Sequence, residues 1–151
     1  MKKLTILLFS ILISFSSYGE DDMYDFGHKL ATCSGDFELS SQVILLGDYG
    51  ESQSQAVKER ANGWLVASVV FFMADGMGSE GAWSAAQGVK DTTISTWMAK
   101  IEFATNSAWS DKEKDENLSK VFNDLGDLIP ECISYENLVE ESIKTYRKMV
   151  Y

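Results

Sequence analysis

One proline, one histidine and two cysteines in 151 residues leave little room for several kinds of chemistry. The lone imidazole, His28, and two widely separated thiols give no standard spacing of zinc ligands, so no metal site is expected. No Cys-x-x-Cys pair is present to run thiol redox chemistry. Basic residues are also scarce: 13 Lys and Arg stand against 23 Asp and Glu, a net charge of −10. Nucleic acid and anionic lipid both attract clustered Lys and Arg, so neither is an expected partner. No apolar run reaches the roughly 20 residues that a membrane-spanning helix needs. With 45% apolar and 12% aromatic residues the chain nevertheless carries enough for one core, and its length sets one domain as the ceiling.

What is present begins with a leader. Met1, Lys2 and Lys3 are followed by an apolar stretch over residues 4–15, with small residues at Ser17 and Gly19. This reads as a secretory signal peptide spanning residues 1–19, with a helical domain over residues 20–151. The twin lysines and short apolar core point to bacterial export, to the periplasm or beyond. No cysteine stands at the cleavage point to accept lipid, the first being Cys33. Removing a leader with two Lys and no acid leaves 11 basic residues against 23 acidic, a net charge of −12. Such a surface favours cationic partners, and its self-repulsion works against the compact state.

An oxidising compartment would offset that repulsion by letting Cys33 and Cys132, 99 positions apart, pair with each other. Closing a loop of that length is worth roughly 4.7 kcal/mol in the chain-entropy model. The alternative is two buried free thiols.

Apolar spacing predicts helices and no sheet. Met23, Phe26, Leu30, Cys33 and Phe37 step by three and four along a first helix over residues 22–39 or beyond. Gly47-Asp48-Tyr49-Gly50 reads as a turn. Residues 51–74 form a second helix whose later half, from Trp64 onward, is apolar all round and central to the core; a strand is the alternative for that half. The glycines at 76, 78, 81 and 88 predict a loop over residues 75–90. Asp91 then caps a third helix to about Ala108, with Ile94, Trp97, Met98, Ile101 and Ala104 inward. Ser110 and Glu113 form a capping box that starts a fourth helix, whose stripe is Leu118, Val121, Phe122 and Leu125 and whose end is Gly126 or Pro130. Ser134 opens a fifth, with Leu138, Val139, Ile143 and Tyr146 inward. The expected fold is all-α, a single-domain bundle of about five helices with one disulfide.

Motifs for chemistry are weak. Gly76-Met-Gly78-Ser-Glu-Gly81 matches the dinucleotide pattern, with Glu102 downstream as a ribose ligand, but it needs a strand before it and a parallel sheet around it. A mobile surface loop is the simpler account, and no cofactor is expected. Asp111, Glu113, Asp115 and Glu116 resemble a calcium loop without its glycine at the sixth position or its glutamate at the twelfth, where Phe122 stands. A solvated helix start explains them. His28 lies off the apolar stripe, toward solvent. Ser79 lacks the first glycine of a nucleophile elbow, Met77 taking that place. Met77 and Trp83 would instead give the glycine-rich loop two apolar anchors for a partner, unless Trp83 folds back over the core.

Ala31-Thr-Cys33 in the first helix, Gly63-Trp64-Leu65 in the second and a distant second cysteine resemble small exported two-cysteine helical proteins, among them acid-stress chaperones of the bacterial periplasm. The resemblance implies an all-helical exported protein and assigns no catalytic or binding residues. The wide cysteine spacing and the extra C-terminal helix depart from the small acid chaperones.

The leading expectation is therefore a non-enzymatic periplasmic or secreted interaction protein, such as an inhibitor or immunity-type binder of a basic protein. One alternative is an acid-responsive chaperone, since protonating 23 carboxylates carries the processed chain from −12 to about +12. The other is binding of a small apolar ligand between helices, supplied by Trp64, Phe71, Phe72, Met73 and Trp97.

Overall fold

The structure, a computed structural model, describes residues 23–46 and 50–150. The signal-peptide segment and most of the expected turn at residues 47–50 lie outside the described residues. Among the described residues five helices follow one another: α1 (Met23–Leu46), α2 (Glu51–Ala74), α3 (Ser79–Ala104), α4 (Asp111–Ser134) and α5 (Glu136–Val150). No strand occurs among the described residues, so the apolar half of the second element is helical.

The α1/α2 pair is the centre. α1 buries its predicted stripe of Phe26, Leu30, Cys33 and Phe37, together with Ala31, Ser34, Asp36 and Leu39. α2 buries Trp64, Phe71 and Phe72 almost completely. Three serine hydroxyls cross between the two helices: Ser68 Oγ donates to the Gly27 carbonyl at 2.7 Å, Ser34 Oγ to that of Ala61 at 2.8 Å, and Ser54 Oγ to that of Ser41 at 2.8 Å. Positions 27, 34 and 41 rise by seven as 68, 61 and 54 fall by seven, which defines an antiparallel seam in heptad register. Every residue on it is Gly, Ser or Ala, so the backbones come close enough for hydroxyl-to-carbonyl bonds. Beside the seam, a Cβ on Gly27 would stand 2.9 Å from the Phe72 ring.

Three further elements close around this pair. α3 begins thirteen positions earlier than the sequence suggests, because Ala82 and Ala86 are fully buried against the Leu65, Val69 and Phe72 side of α2. That burial outweighs the cost of about 1 kcal/mol for each helical glycine, and Gly81 and Gly88 face open space. Among the described glycines, positive φ occurs at Gly50, just before α2, and at Gly76, two residues after it. α3 also ends at Ala104 rather than Ala108. Its Met98 is 48% exposed instead of inward, as is Phe122 of α4 at 38%.

α4 carries the predicted capping box, with Ser110 N–H donating to Glu113 Oε2 at 2.8 Å and Glu113 N–H donating to Ser110 Oγ. It then runs through both predicted stops. Gly126 and Pro130 are exposed, so the Gly126 carbonyl left without its helical donor can face water, while Leu125 and Cys132 hold the opposite side in the core. Ser134 is accordingly the last residue of α4 rather than the opening of α5. Tyr135 fills the joint, edge-on to Phe26 with centroids 5.3 Å apart.

Cys33 and Cys132 are joined, with Cα atoms 5.7 Å apart, and the bridge ties the middle of α1 to the last turn of α4. Polar links complete the set. Asp36 accepts from Trp97 Nε1 at 2.7 Å, and Glu38 pairs with Lys90 at 2.9 Å, both between α1 and α3. Arg60 pairs with Glu136 at 2.7 Å between α2 and α5.

Cys33→Ser and Cys132→Ser should each cost about 2–5 kcal/mol in urea denaturation, and the double variant should match either single one. Free reaction of both cysteines with a thiol reagent in denatured, unreduced protein would show that no bridge forms. Two glycines should respond in opposite senses. Gly35→Ala places a Cβ 2.8 Å from Thr93 Cβ and 3.0 Å from the Lys90 carbonyl, and should lose about 1–3 kcal/mol. Gly88→Ala meets nothing and should gain about 0.5–1 kcal/mol.

Candidate functional site

The expected glycine-rich loop over residues 75–90 is a loop only at residues 75–78 and is helical from Ser79 onward. Met77 and Trp83 are half-buried against Leu65, Val69 and Phe72, and the Trp83 ring lies edge-on to Tyr146 with centroids 6.2 Å apart. Trp83 thus folds back over the core and is not held out on a mobile loop. The Gly76 to Gly81 pattern is preceded by helix α2 and not by a strand, which removes the setting a dinucleotide fold requires. The aromatic residues proposed to hold a ligand are core: Trp64, Phe71, Phe72 and Trp97 are all buried. His28 is exposed, as its position off the stripe indicates.

Two surfaces stand out among the described residues. The first is the outer face of the C-terminal half of α4. Asp124, Asp127, Leu128 and Glu131 fall at spacings of three, four and seven, one face of a helix. All four are exposed, and Leu128 stands out at 39%. None of the three acids forms an ion pair among the described residues. Residues 121–143 contain no Lys or Arg, so no cation lies one turn away to neutralise Asp127 or Glu131. Against this face, between α1 and the end of α4, is a small pocket of about 140 Å³. Leu128, Glu131 and Tyr135 form one side, Lys29, Thr32 and Asp36 the other, and the Cys33–Cys132 bridge part of its wall.

The acids singled out from the sequence lie elsewhere, in the first turns of α4, and are mostly engaged. Glu113 serves the capping box, Asp111 approaches Lys114 at 3.4 Å and Glu116 approaches Lys112 at 3.8 Å. The hydrogen bonds from Ser110 hold the Glu113 carboxyl below its usual range. The unpaired acids downstream were readable in the absence of nearby bases, not in any cluster of acids.

The second surface is an open groove of about 620 Å³ between the C-terminal half of α3 and the N-terminal half of α4. α3 contributes Thr96, Ala99, Lys100, Phe103 and Ala104; α4 contributes Asn117, Lys120 and Val121. Phe103 is 63% exposed and is held from behind by Trp109, whose ring is 5.6 Å away and whose Nε1 donates to the Phe103 carbonyl at 3.0 Å.

The chain matches no protein-family model, and neither curated proteins nor solved structures give a significant match.

Asp36 lies at the back of the small pocket. Burial raises its carboxyl above the ordinary value of 3.8, opposed by the Trp97 hydrogen bond and the nearby Lys100 charge. A raised folded value means that Asp36 favours the fold most when protonated, below its unfolded value, and that this contribution is lost as pH rises through the folded value. Asp36→Asn keeps an acceptor for Trp97 and removes the buried charge. The variant should therefore be at least as stable as the parent at pH 7, with the parent gaining on it as pH falls toward 3.8. Urea midpoints across that range check this; a parent more stable at pH 7 by more than at pH 4 would reverse the assignment.

Proposed function

We propose that the protein is a non-enzymatic, exported interaction protein, periplasmic or secreted, that binds a cationic protein through the outer face of α4. The unpaired run of Asp124, Asp127 and Glu131 beside exposed Leu128 carries this reading. Long-range attraction to the acidic face would speed encounter, and an apolar anchor with a lysine- or arginine-sized pocket beside it would supply short-range fit. An inhibitor or immunity protein directed at a basic enzyme or toxin is the concrete form. The disulfide and the absence of a membrane-crossing helix among the described residues are compatible with export.

An acid-responsive chaperone remains the second reading, supported by the large charge swing on acidification. Protonation of Asp36 works against it, because that step favours the folded state. Exposure of apolar surface to a reporter dye at pH 2 to 3 is its requirement.

Capture from a periplasmic extract at low salt should recover a basic protein, and its association rate should fall at least tenfold with Asp127→Lys and Glu131→Lys combined. Reversing Glu51 and Glu59 on α2 should leave it nearly unchanged. Recovery of no basic protein, indifference to salt, or equal sensitivity to both pairs of reversals would sink the proposal.

A further inference from the structure

We infer that the α3/α4 groove binds a single-chain anionic amphiphile, of which a medium-chain alkyl carboxylate is the simplest. This inference stands independently of the α4 acidic face. The volume of about 620 Å³ falls within the range of roughly 300–1,000 Å³ typical of small-ligand sites. Ala99, Phe103, Ala104 and Val121 give it an apolar wall suited to an alkyl chain. Its polar groups include two cations and no carboxylate, on a chain whose net charge is −10. Lys100 is held at the edge of the groove, its Nζ 4.0 Å from the centre of the buried Trp97 ring and its charge near Asp36, so Lys120 is the cation left to meet a headgroup. Lys120 makes no ion pair among the described residues, although Glu116 and Asp124 lie one turn to either side on α4; Glu116 is taken by Lys112. A positive lip on an apolar groove selects a negative headgroup with an aliphatic tail. The protein's overall field would repel the same molecule, so any preference for an anion must arise locally. Repulsion between two equally acidic copies disfavours self-association as the means of covering the groove.

Titration calorimetry of the whole protein with octanoate, decanoate and dodecanoate, each below its micelle concentration, should show affinity rising about two- to fourfold per added methylene while the groove still fills. Decanoate should bind more tightly than decanol, and decanol more tightly than decyltrimethylammonium; the reverse order, which the net charge alone dictates, would overturn the inference. Lys120→Glu should weaken decanoate about tenfold and leave decanol unchanged. Ala99→Phe, which fills the groove, should abolish binding while helicity, thermal midpoint and capture of the basic partner are retained. Binding that survives Ala99→Phe places the ligand elsewhere and refutes the site. Should a concentration-dependent dimer disappear with Ala99→Phe, or should the protein cosediment with anionic vesicles but ignore free carboxylates, the groove belongs to a second copy or to a membrane surface, and the inference fails.

Discussion

Close approach of α1 and α2 is the constraint on which the rest of the molecule depends. Helices carrying large side chains along a seam sit about 8–10 Å apart and cannot exchange hydrogen bonds with each other's backbone. Here the seam is built of Gly27, Ser34 and Ser41 against Ser68, Ala61 and Ser54, and three hydroxyls reach carbonyls on the opposite helix. A spacing of seven, close to two helical turns, keeps both sets on the facing sides of the two helices. Because the seam consumes little volume, the large residues Phe26, Phe37, Trp64 and Phe71 are displaced to its flank, where they make the main core with Cys33 and Cys132. The disulfide then ties α4 to that core.

Legibility followed the strength of the competing signals. The α1 stripe, the limits of α2, the capping box at Ser110 and the cysteine pairing were all readable, since each rests on residues whose preference and burial agree. The start of α3 was not. Four glycines argued for a loop, and what opposed them was Ala82 and Ala86, small residues that look uninformative until α2 supplies a surface to bury them. Pro130 misled in the same way, because a helix break is costly only where the freed carbonyl cannot reach water. Met98 and Phe122 were assigned inward from periodicity alone, but α4 lies against one edge of α3, and the core there needs only Leu39, Trp97 and Leu125. The serine seam was present as a heptad of small residues on both helices. It passed unread because amphipathic patterning looks for large apolar side chains.

Charge is distributed unevenly across the fold, and α3 is the reason. The two acids that α1 carries into the interior, Asp36 and Glu38, both meet α3: Trp97 and Lys100 stand by the first, and Lys90 pairs with the second. Burial of an unpaired carboxylate would be costly, so these contacts fix the rotation of α3 as well as its distance. They also commit basic residues that are scarce in this chain. The second half of α4 has none, and its acids therefore face solvent without neutralisation.

The two uncommitted surfaces follow from how weakly α4 is held along its length. Its last turn is tied by the Cys132 bridge and its middle by Leu125, whereas its first turns meet α3 across Ala99 and Ala104, residues too short to fill the gap. Filling that gap with larger side chains would have been the economical packing solution, and Phe103, Met98 and Phe122 are the right size to do so. Each stands exposed instead, with Phe103 propped outward by Trp109. A chain that is short of stabilising basic residues and strongly self-repelling nevertheless leaves apolar area open beside Lys120. Folding alone gives no return for that area, and a bound amphiphile would bury it.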